Sequence, residues 1–148
     1  MTYRVVNTTD WTYEQLAPYT KQITAYFKKL VDKFPEDITV EALARDVVVG
    51  AKQMWLVFHG DEFVAVALTA IRTVDATGHK IVTVTSLGGN EGAACVPALN
   101  EVITEYAKQE NADFISVEGR RGWDRALRKH GFKEYAVVWR KPLRQQNG

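Results

Sequence analysis

The 148-residue sequence predicts one α+β domain, a mixed, mostly antiparallel sheet flanked by helices in the order β-α-α-β-β-β-α-β-α-β. Three observations lead there. From Met54 to Leu87 apolar and polar residues alternate in three runs separated by short polar turns, the pattern of an antiparallel meander. Val96, Leu99, Val102, Ile103, Tyr106 and Ala107 then recur at spacings of three and four, one apolar face of a helix. Between the two lies Gly88-Gly89-Asn90-Glu91-Gly92. A strand, a glycine turn and a helix in succession aim backbone N–H groups and a positive helix end at an anion. The same glycines would also suit a chain that merely turns.

Taken in order, residues 3–6 read as a short first strand. Thr9 or Asp10 is placed to cap the helix that follows, whose face is Leu16, Ile23, Phe27, Leu30, Val31 and Phe34. Pro18 either bends this helix or marks its true first turn. Thr39 caps a second helix over residues 40–50, with Leu43 and Val47 inward. Strands are expected at 54–58, 63–72 and 80–87, and a helix at 93–110. A strand at 114–118, a helix at 123–130 closed by Gly131 and a last strand at 134–141 complete the chain. Pro142 and a polar tail from Arg144 to Gly148 end it.

Hydrophobic residues make up 46% of the chain and charged ones 25%, ordinary for a soluble globular protein. Nineteen basic and eighteen acidic side chains leave +1, so no overall charge steers the molecule to nucleic acid or membrane. The single Cys95 excludes an internal disulfide, and no His, Cys or carboxylate spacing suggests a metal. A reducing, cytoplasmic setting follows, with no membrane-spanning run.

That element order, with its glycine turn after the fourth strand, resembles the GNAT fold of the acyl-CoA N-acyltransferase superfamily. Arg128-Lys129-His130-Gly131-Phe132 is also similar to the Tyr-Glu-Lys-x-Gly-Phe ending of that family's fourth helix. The resemblance implies a GNAT-like domain over residues 1–143, with 144–148 as tail. It also implies binding of acetyl-CoA or another acyl-CoA, and a small-molecule or protein amine as acceptor. In the family, a Gln/Arg-x-x-Gly-x-Gly/Ala turn holds the coenzyme A pyrophosphate through its N–H groups. The best register here is Gly89-Asn90-Glu91-Gly92-Ala93-Ala94, in which Gly92 and Ala94 match and Gly89 replaces Gln or Arg. A second register, 87–92, keeps Gly92, so the implied ligand-binding residues are Leu87, Gly88, Gly89, Asn90, Gly92, Ala93 and Ala94. Where family members carry an Asn at the end of the fifth strand, this chain has Glu118 or Arg120; where they carry the fourth-helix Tyr, it has Leu127. The Gly-Arg-x-Gly-Trp turn at 119–123 also looks like divergent GNAT-like proteins of tailed bacteriophages. That likeness implies an alternative role as a non-catalytic module among virion proteins.

Acyl transfer to an amine needs a base and donors for the developing oxyanion. Glu118, at a strand end beside the glycine turn, is the candidate base; the bland alternative is a surface carboxylate paired with Arg120 or Arg121. The fold resemblance implies that the N–H after Ser86 or Leu87 polarises a thioester. Cys95 sits where a helix start can lower a thiol's pKa, although a buried filler explains it more simply. Trp123 could cover an acyl or base-like group, anchor a protein contact, or just pack on the sheet. From Arg120 to Arg144 nine basic residues face only Asp124 and Glu134. Arg120 and Arg121 are placed to reach the phosphates of coenzyme A. Nucleic-acid binding ranks last, for want of a known module.

Overall fold

A computed structural model of the chain describes residues 2–119 and 121–144; of Arg121 only the backbone is described. Five strands, β1 (Tyr3–Asn7), β2 (Gln53–His59), β3 (Glu62–Thr73), β4 (Lys80–Gly89) and β5 (Phe114–Val117), form one sheet in the order β1-β2-β3-β4-β5. The first four run antiparallel to their neighbours, and β5 lies parallel to β4. The helices are α1 (Tyr13–Leu16), α2 (Thr20–Lys33), α3 (Val40–Val48), α4 (Val96–Gln109) and α5 (Asp124–Arg128).

Alternation along the strands makes two cores. On one face Met54, Leu56 and Phe58 of β2 meet Ile23, Tyr26, Phe27 and Leu30 of α2 and Leu43 of α3. On the other, Trp55 and Val57 meet Cys95 and the Leu99–Ile103–Ala107 stripe of α4. Each fully buried Leu or Phe contributes about 1.5–3 kcal/mol, so α2 and α4 are held by their stripes rather than by helix propensity.

Several local expectations are corrected. The first helix is not continuous from Thr9 or Asp10. Thr12 is its cap, in a reciprocal capping box with Gln15, and Pro18 sits in a 3₁₀ turn, Ala17–Tyr19, that joins α1 to α2. Thr39 does cap α3, accepting from the Ala42 N–H at 3.1 Å. The long helix begins at Val96, not 93, because Pro97 fits only its first turn. Gly88 and Gly89 belong to β4, opposite Val66 and Ala65. Only glycine fits at 89: φ is +145°, and an added Cβ would lie 2.3 Å from the Val64 carbonyl oxygen. The fourth expected helix shrinks to a 3₁₀ turn, Arg121–Trp123, and α5; Gly131 (φ +87°) ends it, with the Phe132 N–H reaching back to the Leu127 carbonyl.

The largest correction concerns residues 134–141. They form no strand, and Tyr135, Val138 and Trp139 stand exposed. Alternation makes a segment competent for a sheet, but a strand needs a paired edge and a face to bury, and this segment pairs with no edge and buries no face.

Candidate functional site

The site starts from an irregularity in β4. Leu68 pairs with Ser86 and Thr69 with Val84, so Thr85 is an extra residue, a β-bulge. Bulges bend a strand and interrupt its ladder. At the same level the β4–β5 pairing runs out: its last rung is Val84–Val117, followed by one hydrogen bond from the Glu118 N–H to the Val84 carbonyl at 3.0 Å. Beyond it β4 stays with β3 while β5 departs, and the sheet splits. Backbone groups of a strand turn alternately to its two sides, so some N–H groups of residues 85–88 face the split with no strand opposite.

A cavity of about 550 Å³ fills this opening. One wall is Leu30 and Lys33 of α2 with Phe34, Asp37 and Ile38 of the following loop; the other is Val96, Leu99, Asn100 and Ile103 of α4 with Leu127 of α5. Since α2 and α4 cover opposite faces, one cavity is walled from both sides of the sheet. Thr85, Ser86, Leu87, Val117 and Glu118 form its waist. A volume in the range of small-molecule sites, mostly apolar with a few polar groups, suits an organic ligand.

The loop from Asn90 to Cys95 lies next to the cavity rather than in its lining: Val96, which follows it, and Trp123, which neighbours Gly92, are the lining residues that border it. The N–H groups of Gly92, Ala93 and Ala94 make no hydrogen bond among the described residues, and they stand ahead of the α4 N-terminus. Such a row is an anion cradle. Glu91 would spoil it if its carboxylate shared the cradle. Instead the side chain turns to β1 and β2: it accepts from the Tyr3 hydroxyl at 3.1 Å and lies 3.1 and 3.3 Å from His59 Nδ1. Tyr3 and His59 are themselves stacked, centroids 4.5 Å apart. Burial and the Glu91 carboxylate push the Tyr3 phenol above its ordinary value, which keeps it a donor. Asn90 accepts from Lys29 Nζ at 2.7 Å, so α2 brings a cation to the loop. Gly92 touches Trp123: an added Cβ would meet indole Cη2 at 3.0 Å.

The sequence-predicted residues come together in part. Leu87 and Glu118 line the cavity, Gly88 and Gly89 end β4, and Asn90, Gly92, Ala93 and Ala94 form the loop. The Glu118 carboxylate is exposed and makes no ion pair or hydrogen bond among the described residues. Arg120 lies outside the described residues, as does the side chain of Arg121. Of the other basic residues, Arg128 pairs with Asp124 at 2.8 Å and Arg140 with Asp37 at 2.8 Å. Leu127 does occupy the cavity wall, where it offers no proton. Sequence reasoning missed Tyr3, His59, Lys29 and the Thr85 bulge. The first three are distant in sequence from the loop they meet, and the bulge leaves no compositional mark.

Cys95 is a buried filler with its thiol 3.2 Å from the Gly92 carbonyl. Burial, with a smaller contribution from the Glu91 carboxylate, outweighs a backbone hydrogen bond to the thiolate and pushes the thiol up from 9.0 to about 11. The folded state therefore holds its proton where the unfolded chain has lost it. Stability supplied by the protonated thiol is complete below pH 9.0 and is lost as pH rises to about 11. Urea midpoints measured across that interval are expected to fall more steeply for the native sequence than for Cys95→Ala; parallel curves would refute the assignment.

No protein-family profile and no curated protein matches the sequence. Among solved structures the chain is similar to a protein from Pyrococcus furiosus described as an acetyl transferase, at 16% identity and TM-score 0.70, covering 96% of this chain and 100% of that one. It is similar also to an aminoglycoside acetyltransferase from an uncultured soil metagenomic sample, at 13% identity and TM-score 0.68, covering 97% and 100%. A third, from Clostridium acetobutylicum, described as a predicted acetyltransferase and solved with acetyl-CoA, shows 12% identity and TM-score 0.64 over 96% of both chains. At these identities the likeness speaks for architecture, and the chain has the fold of GNAT-type acetyltransferases.

Proposed function

We propose that the chain is an acyl-CoA-dependent N-acyltransferase that moves an acetyl group to an amine. The observation that carries this reading is the cavity at the β4–β5 split, walled from both faces and lined by Val96 and Trp123, which border the loop of free N–H groups. The acyl-CoA supplies an acyl group activated as a thioester. Its diphosphate fits the N–H groups of Gly92, Ala93 and Ala94, with Lys29, which bonds Asn90, as a cation at the loop; Arg120 and Arg121 are further candidates from the sequence. The glycines matter because side chains there would fill the approach, and Glu91 is tied away from it.

The amine enters from the α2 wall. Glu118, at the waist, takes its proton directly or through a water as nitrogen attacks the carbonyl carbon. N–H groups of residues 85–88 that face the split stabilise the charge that develops on the carbonyl oxygen. Leu127 leaves the departing sulfur without a phenol donor. A thiol ionises near pH 8.5, so a thiolate leaves readily and can take its proton from water.

One observation favours a non-catalytic module instead: the indole of Trp123 rests on Gly92, at the mouth of the cradle. Calorimetric titration with acetyl-CoA and with coenzyme A separates the two. Micromolar binding of both is expected under the enzyme reading, with Trp123 moving to cover the ligand. No heat at millimolar ligand would leave the module.

A further inference from the structure

Two charged side chains in the lining of the cavity have no partner. Among the described residues, Lys33 of α2 and Glu118 at the waist make no ion pair and no hydrogen bond. The other described charges of the lining are already answered: Lys52 lies 3.6 Å from Asp46, and Asp37 accepts from Arg140 at 2.8 Å. A free cation and a free carboxylate therefore border one mostly apolar space. We propose that the acceptor carries a carboxylate as well as its amine, as an amino acid does, and that Lys33 binds this carboxylate while Glu118 receives the amine. The proposal names the substrate class of the transferase reading and rests on it.

Placement favours this division of labour. Lys33 follows Leu30 by three residues, so both lie on the α2 face that walls the cavity, the side assigned to the amine. Lys29, one turn earlier, is engaged by Asn90 at 2.7 Å and belongs to the donor loop. Charge then selects among acceptors. A polycation would meet Glu118 as its free carboxylate among the described residues, because Asp37 is covered by Arg140, and Lys33 would repel it. An amine without an anionic group would leave Lys33 nothing to bind. A lysine in a last helical turn also suits the negative end of the helix. That role asks nothing of a ligand, and the two are separable by experiment.

Calorimetry with a matched pair of product amides reads the anion without catalysis. N-acetylleucine carries the carboxylate, and N-(3-methylbutyl)acetamide is the same molecule lacking it. The native chain is expected to bind N-acetylleucine at least about tenfold more tightly, the lower range for hydrogen bonds to charged groups. Lys33→Met should bring the ratio to about one, Lys33→Arg should restore it, and added salt should shrink it. Lys33 is exposed and unpaired among the described residues, so both variants should keep the melting temperature. Native binding of both amides alike, or of neither, would overturn the proposal, as would a ratio that survives Lys33→Met. A loss of coenzyme A affinity in Lys33→Met would overturn it too, by giving Lys33 to the donor's phosphates. Failure of the transferase reading looks different: the amide ratio would stand and depend on Lys33 while acetyl-CoA gave no heat.

Discussion

Replacing Glu118 by Gln is expected to lower kcat for acetyl transfer by about 100- to 10,000-fold, the span that a positioned general base supplies. Affinity for acetyl-CoA should stay within about twofold, because the exchange removes a proton acceptor and leaves the N–H cradle untouched. The position allows a clean reading. Its side chain is exposed and unpaired among the described residues, and its backbone N–H, which bonds the Val84 carbonyl, survives the substitution. Loss of activity could not then be blamed on loss of fold. Steady-state kinetics on any accepted amine would decide it: an unchanged kcat removes Glu118 from the chemistry.

Gly92→Glu is expected to weaken acetyl-CoA by at least about 100-fold. Two effects combine. A carboxylate about 4 Å from a phosphate costs about 4 kcal/mol at an effective dielectric of 20, and its Cβ would meet Trp123 Cη2 at 3.0 Å. The ring is half-buried at the surface and can yield, so the melting temperature should change little. Calorimetry beside a thermal melt separates ligand from fold; an unaltered affinity would move the anion site away from this loop. Glu91 makes the comparison instructive. One residue earlier in the chain a carboxylate is harmless, because Tyr3 and His59 hold it away.

Much of this was legible in the sequence. The three antiparallel strands, the α2 and α4 stripes and the Thr39 cap follow from local periodicity and capping chemistry, which need no knowledge of distant residues. The strand at residues 134–141 was misread for the opposite reason: Tyr135, Val137 and Trp139 alternate as a strand does, but pairing is decided by what lies alongside. The loop of Gly92, Ala93 and Ala94 could be located by its glycines. Its electrostatics could not, since whether Glu91 faces the cradle depends on Tyr3, 88 residues away. Likewise Lys29 reaches Asn90 only because α2 crosses the end of β4.

The bulge at Thr85 has a consequence for traffic. Because β4 and β5 part there, the proposed reading gives donor and acceptor separate doors on opposite faces, and neither must wait outside for the other. A chain built this way has no need of a covalent relay that stores the acyl group between visits, and Cys95, buried with a firmly held proton, is unfit to be one. Under that reading both reactants can be aboard together, meeting at the waist. A molecule that joined the two, a donor tail tied to an acceptor head, would be threaded through the sheet and could leave only backwards.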